Sequence, residues 1–515
     1  MGTVLSQLRL AVQTLKSIAS DYEVLSHRIS QSPGIPKQNS SVPYWTHPSS
    51  PIAQHGHDTE LPDYADIVII GSGITGTSIA KALLEYKPGD GLKPLKVVMI
   101  EARDACSGAT GRNGGHCSPN TFEDYLELRD TLGLAAATQI IQFRLAHISA
   151  LINVATEEAL LADCQARDVE EYNVYANKEL FESAKDLLEK YLKDVPEEGK
   201  RYEIYETRGD IEELQLSAAI SGCIRQSGAA IHPYRFVTGI LSNLLSRYSN
   251  FQLFTQTPCT SISRNDNTYV VTTPRGDIST SHIIHATNAW SSHLLSGMRR
   301  KIVPTRLHMT AQRPGKGLTQ SLWAGKRSFV FFPGKSEYAF DYLTQLLPSD
   351  QCHSDSKYPP TSGEFMFGGG AMLGGSAEAA LFENIGNVDD ERSELEVGAY
   401  LGGVLERYFS PWGKEGDSED TSQPPSGSWG EGRMKALWTG IMGISADLKP
   451  WIGRIPTSIS KRDEPRRAVG SSNEDNTNSH PRHLQLADPG EWIAAGFSGE
   501  VTTILSDYRE TVEAS

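Results

Sequence analysis

The chain has 515 residues, a formal net charge of −15 and 38% hydrophobic residues. That size leaves room for two or three domains with buried cores, and the acidic balance excludes general nucleic-acid binding while favouring cationic ligands. Six cysteines without a C-x-x-C pair indicate neither a metal site nor a disulfide framework, and no apolar run approaches the roughly 18 residues of a membrane span.

Residues 1–30 read as an amphipathic helix. Val4, Leu8, Ala11, Leu15, Ile18, Tyr22, Leu25 and Ile29 recur at steps of three and four, a stripe suited to packing on the body of the protein. Met1-Gly2-Thr3-Val4-Leu5-Ser6 also fits a myristoylation pattern, one short enough to arise often by chance. Pro33, Pro36, Pro43, Pro48, Pro51 and Pro62 interrupt residues 31–65, which read as an extended linker over the surface.

Residues 67–70 are a short apolar run suited to a buried parallel strand. Gly71-Ser72-Gly73-Ile74-Thr75-Gly76 follows at once and opens a helix-patterned segment to about Glu85; a second apolar strand, 97–100, ends in Glu101. Gly71 permits a tight turn, Gly73 lets backbone approach a pyrophosphate, and Gly76 lets the helix lie close on the strand. Unpaired N–H groups at the helix start suit phosphates, and Glu101 can accept ribose hydroxyls. This order of elements predicts a dinucleotide site. Downstream, Ala102, Arg103, Ser107, Thr110, Arg112, Asn113, Gly114 and Gly115 form a glycine-rich arm instead of another helix. Such an arm can lie along an extended cofactor.

Helical spacing covers residues 122–162 and 179–192, with short strands at 172–176 and 201–204. Ala230-Ile231-His232-Pro233 precedes a further helix, and strands are predicted at 251–254, 269–272 and 282–286. Residues 302–345 and 365–367 have the alternation of an antiparallel sheet, and 391–409 reads as a helix. Residues 349–363, 413–432 and 457–482 are polar enough to read as surface insertions.

The arm motif Ser107-Gly108-Ala109-Thr110-Gly111-Arg112-Asn113-Gly114-Gly115-His116 resembles the FAD-dependent oxidoreductases of the D-amino-acid oxidase family, and most closely its γ-glutamylputrescine oxidoreductase branch. Ala286-Thr287-Asn288-Ala289-Trp290, Trp438-Thr439-Gly440-Ile441-Met442-Gly443 and Trp492 to Gly499 resemble further family segments. The resemblance implies an α/β Rossmann-like FAD-binding domain of the glutathione-reductase type (66–160, 225–290 and 434–515). It also implies an α+β substrate domain with a mainly antiparallel sheet (161–224 and 291–433), after an N-terminal extension (1–65). Gly440, Gly496, Phe497, Ser498 and Gly499 would then bring backbone to the flavin. Tyr342 and Trp438 would wall the substrate cavity, and Arg306 or Arg327 could meet a carboxylate.

By position His116 resembles the family residue over the flavin ring. Its imidazole could tune the ring, hydrogen-bond the substrate or accept an ammonium proton; covalent attachment of His116 or Cys117 to the flavin, and plain packing, are the alternatives. The implied reaction oxidises an amine or amino acid at its carbon–nitrogen bond, with non-covalent FAD, in the cytoplasm. Oxygen or another acceptor would take the electrons. Val501 stands where the family continues with glycine, and the tail is short, so a flavin-binding protein of impaired activity is a further reading.

Overall fold

Apolar β-branched runs and glycine turns build the first of two sheets. The structure, a computed structural model, describes residues 20–86, 94–265, 267–318, 323–370, 383–412, 432–465 and 488–498. Strand Tyr64–Ile70 lies at the centre, parallel to Val97–Ile100 on one side and Gly276–His285 on the other. Phe251–Phe254 extends the sheet beyond Val97–Ile100; Gly490–Ala495, then Trp451–Arg454, extend the opposite edge. Strands Ser261–Arg264 and Tyr269–Thr273 add a hairpin against Gly276–His285. Helix Ile74–Glu85 returns from the central strand, as the glycine pattern predicts.

Among the described residues the second sheet has nine strands. Its order runs Met434–Ser445, Ile302–Gln312, Phe365–Gly369, Asp341–Gln345, Arg327–Phe332, Arg167–Tyr175, Gly222–Ala230 and His116–Cys117, with Glu203–Tyr205 also on Gly222–Ala230. The ladder between Arg327–Phe332 and Arg167–Tyr175 is parallel, whereas Ile302–Gln312 pairs antiparallel with both its neighbours, so the sheet is mixed. Strands Gly222–Ala230 and Met434–Ser445 join this sheet although their sequence lies mostly in stretches expected for the cofactor domain. Helix Leu395–Tyr408 covers the outer face over Trp323, Phe329, Phe331, Phe365 and Phe409.

The long helical stretch after the arm is divided. Gly133, at φ +87, separates Phe122–Leu132 from Leu134–Glu157. Residues 20–30 are helical, and Arg300 donates to Ser26 Oγ and Ser30 Oγ, each at 2.7 Å, so this part of the expected N-terminal helix packs on the body. The stretch before it, most of 413–432, 466–482, Gly499 and the tail around Val501 lie outside the described residues. Among the described residues no helix is long and apolar enough to cross a membrane.

Candidate functional site

The turn after the central strand is built from contacts only glycine allows. Gly71 has φ +109, and a Cβ there would lie 2.6 Å from the Ala286 carbonyl oxygen. A Cβ on Gly76 would lie 2.0 Å from the Gly71 carbonyl oxygen, so helix and strand meet backbone to backbone. Gly73 faces the Thr110 hydroxyl, which accepts a hydrogen bond from Ile74 N at 3.0 Å. Thr110 therefore caps the helix from the arm, and Thr75 is buried in the first turn. At the end of Val97–Ile100, Glu101 Oε2 accepts from Ser72 N at 3.0 Å and Ser72 Oγ at 2.7 Å. Glu101 Oε1 accepts from Arg103 N at 3.2 Å, which fixes the carboxylate beside the glycine turn.

The arm carries the chain from the first sheet to the second, ending in the edge strand His116–Cys117 beside Gly222–Ala230. Its two guanidinium groups are structural anchors. Arg112 donates to Ser107 O at 2.8 Å, Thr439 O at 2.7 Å and Ser40 Oγ at 2.6 Å; burial, with Arg103 alongside, lowers its pKa to about 10, so it stays cationic. Arg103 is buried against Asp390 at 2.7 Å. Residues 37–45 run over the arm as a strap: Lys37, Gln38, Asn39 and Val42 stay exposed, as a surface linker would, while Pro43 and Trp45 are buried. Gln38 Nε2 donates to the Ala102 carbonyl at 2.9 Å, and Trp45, only 1% exposed, donates to the Asn113 carbonyl at 2.6 Å. Asn113 Oδ1 accepts from Gly115 N at 2.9 Å, which fixes Gly115 at φ +71.

The distant glycine segments converge on this arm. Gly440 faces Arg112: a Cβ there would be 3.1 Å from the arginine Cβ. Asn288, at φ +41, accepts from Gly496 N at 3.0 Å. Ser498 Oγ accepts from Ser445 N at 3.0 Å, and Phe497 bridges to Ile444. Segments 438–445 and 496–498 are thus joined, with Gly440 against the arm that the glycine turn also touches.

Trp438 is fully buried beneath the arm and donates to the Arg112 carbonyl at 2.9 Å, so it supports the arm from below. Tyr342 stays partly exposed, with its ring against Gly114 and 5.5 Å from that of His116. Burial pushes the Tyr342 phenol up and lowers the His116 pKa to about 4. Neither candidate arginine reaches this place. Arg306 binds Asn384 and Glu394, and Arg327 lies over Tyr172 on the far side of the sheet.

Sequence reasoning missed the strap and an acidic pair, Glu171 buried and Glu123 partly exposed. Glu171 Oε1 accepts from Ser118 Oγ at 2.5 Å and from Gln226 Nε2 at 2.7 Å; Glu123 accepts from Asn173 Nδ2 at 2.9 Å. The adjacent Glu170-Glu171 in an otherwise buried strand was the available signal, because alternation must send one of them inward.

The residues present fit a flavin dinucleotide. A glycine turn closes backbone to backbone, an acid sits at the neighbouring strand end, and Ser107 Oγ and both His116 ring nitrogens are buried without hydrogen-bond partners. A polar ligand would remove that cost. Parallel sheet, glycine turn, arm and second sheet together define a dinucleotide-binding protein of the oxidoreductase type.

The chain belongs to the FAD-dependent oxidoreductases, the DAO family, which matches residues 66–504. Its fold is similar to that of glycine oxidase from Geobacillus kaustophilus, with a TM-score of 0.56 at 14% identity over 88% of this chain and 94% of that one. L-proline dehydrogenase from P. horikoshii gives 0.54 at 18% identity over 86% and 91%, and L-amino acid deaminase from Proteus vulgaris gives 0.54 at 14% over 87% and 93%. None of the curated protein sequences matches the chain.

Proposed function

We propose that the chain oxidises the carbon–nitrogen bond of an amine or amino acid, with FAD bound non-covalently and reoxidised by oxygen. The convergence of the glycine turn, the arm and Gly440 carries this reading. Bound FAD supplies a two-electron acceptor: the C–H bond breaks as hydride, the nitrogen lone pair forms the C=N bond, and water hydrolyses the imine to carbonyl and amine.

The protein's share is positioning. Gly71, Gly73 and Gly76 open the pyrophosphate approach, and Glu101 accepts ribose hydroxyl protons through its remaining lone pairs. Ser107 donates a hydroxyl proton to the cofactor. Gly114, Gly115, Gly440 and Gly496 would admit backbone to the ring, with Phe497 and Ser498 bracing that edge. His116 and Tyr342 flank the reacting carbon. An imidazole whose pKa is about 4 is too weak a base to deprotonate an ammonium group, so His116 acts as a neutral hydrogen-bonding partner and the amine binds already neutral.

The arm sequence supports a place near the γ-glutamylputrescine oxidoreductase branch, in a cytoplasmic protein whose second sheet takes in strands Gly222–Ala230 and Met434–Ser445. Anaerobic addition of amines and amino acids to the FAD-loaded protein tests the reading. Bleaching of the flavin band supports it, and a band unchanged by every compound refutes it.

A further inference from the structure

The family-matched residues begin at 66, yet the arm is braced from upstream by residues 37–45. Ser41 lies where three segments meet. Its Oγ accepts from Thr439 N at 3.0 Å and from Arg112 Nη1 at 3.3 Å, and donates to the Asp390 carbonyl at 2.8 Å. That uses the full capacity of one hydroxyl. Ser41 N donates to the same carbonyl at 2.7 Å. Thr439 precedes Gly440, Arg112 belongs to the arm, and the Asp390 carboxylate holds Arg103. Ser41 therefore ties the Gly440 segment to the arm.

Trp45 supports the far end of the arm. Its indole N–H donates to the Asn113 carbonyl at 2.6 Å, and a Cβ on Gly115 would lie 3.1 Å from Trp45 Cη2. The indole thus backs the peptide that leads into His116, while its edge meets the His232 ring at 4.7 Å.

The strap is fastened at both ends and lightly held between them. Upstream, Arg300 binds Ser26 and Ser30; downstream, Ala105 N donates to the Ala53 carbonyl at 2.8 Å and Thr255 N to that of His55 at 3.0 Å. Among residues 37–45 the buried apolar side chains are Pro43 and Trp45. Gly34, at φ +71 with nothing within 4 Å of an added Cβ, gives the chain a swivel ahead of them. Docking of this stretch rests largely on hydrogen bonds to the arm, to Thr439 and to Asp390. Those bonds require the arm and the Gly440 segment to stand as they do around the cofactor site. Strap and cofactor then favour one arrangement, and by linkage each tightens the other.

We infer that Ser41 and Trp45 are positioning residues of the flavin site: the strap sets the arm and the Gly440 segment for FAD, and bound FAD keeps the strap docked. This rests on the flavin-binding reading above and requires no particular substrate.

The test uses the full chain with FAD itself as the probe. Affinity is read by quenching of flavin fluorescence, release by dilution of the loaded chain, and fold stability by urea unfolding of the apo-protein. Ser41→Ala removes the acceptor of Thr439 N, and Trp45→Phe keeps a ring while losing the indole N–H. Each weakens FAD about tenfold, mainly through faster release. Val42→Ala, at a side chain 63% exposed between the two, binds FAD like the parent. A merely structural brace would lower the urea midpoint and leave the FAD affinity of the folded chain unchanged, and that result overturns the inference.

Should a variant fail to fold, limited trypsin digestion of the unaltered chain decides. The bond after Lys37, exposed in the strap, is cut more slowly with saturating FAD, and the cut, loaded chain releases FAD faster. Equal cleavage with and without FAD overturns the inference, as does release unaltered by the cut. Either result in a chain that still binds FAD and is bleached by amines leaves carbon–nitrogen oxidation standing. A chain that binds no FAD overturns both.

Discussion

Gly76→Ala is the sharpest perturbation of the nucleotide turn. The added Cβ would start 2.0 Å from the Gly71 carbonyl oxygen and 3.3 Å from Ile69 Cγ2. Real Cβ contacts begin near 3.0 Å, so the helix start must retreat from the strand by about 1 Å, and its N–H groups retreat with it. Overpacking of this kind costs about 1–3 kcal/mol, which corresponds to FAD binding roughly 5- to 150-fold weaker if the free protein relieves the strain by retreating and the complex must bear it. Gly108→Ala is the matched control. Nothing lies within 4 Å of its added Cβ and its φ is −76°, although it sits in the arm beside that turn. Titrating apo-protein with FAD, by quenching of flavin fluorescence, measures both. The account requires loss in Gly76→Ala and parental affinity in Gly108→Ala; equal affinity in the two variants would refute it.

Arg112→Lys keeps the charge but loses the fork that holds Ser107, Thr439 and Ser40; we expect a loss of about 2–4 kcal/mol in urea unfolding and faster proteolysis of the strap. His116 is neutral above about pH 4, so His116→Asn should lower the rate without moving any limb of the pH profile between 5 and 8. Burial raises Glu171 from 4.5 to about 7. Its protonated form therefore favours the fold, a contribution complete below about pH 4.5 and lost as pH rises through 7. Glu171→Gln should show a flatter dependence of unfolding free energy across that window, and an unchanged slope would contradict the burial argument. Acid precipitation of the yellow protein should leave all flavin in the supernatant; flavin retained in the pellet would mean a covalent bond.

Legibility in the sequence followed the range of the forces involved. The strand–turn–helix of the nucleotide site was readable because 67–70, 74–85 and 97–100 are fixed by local apolar runs and by glycines with few alternatives. Asn288 at positive φ was readable for the same reason, since asparagine tolerates the conformation glycine would otherwise supply. The strap was not. Its prolines and serines look like a solvated linker, and only the distant partners Asn113, Arg112 and Asp390 tie it to the arm. Residues 349–363 lie on the surface as expected, mostly exposed, and are anchored there by Ser356 Oγ and Lys357 N donating to Asp163. Strand Gly222–Ala230 mixes apolar and polar residues without strict alternation, so its place between two other strands depends on register alone. The acidic pair was hidden likewise. Glu123 opens a helix and Glu171 sits in a strand 48 positions later, and only the folded sheet brings them together.

The most direct test of the central claim is the stoichiometry of FAD binding to the full chain, by fluorescence titration and the absorbance of the loaded protein. One FAD per chain, with affinity weakened by Gly76→Ala and by a bulky replacement at Gly440, is the result the converging segments require. A chain that takes up no flavin, or binds it equally well with both positions altered, would contradict a single site enclosed by the glycine turn, the arm and Gly440.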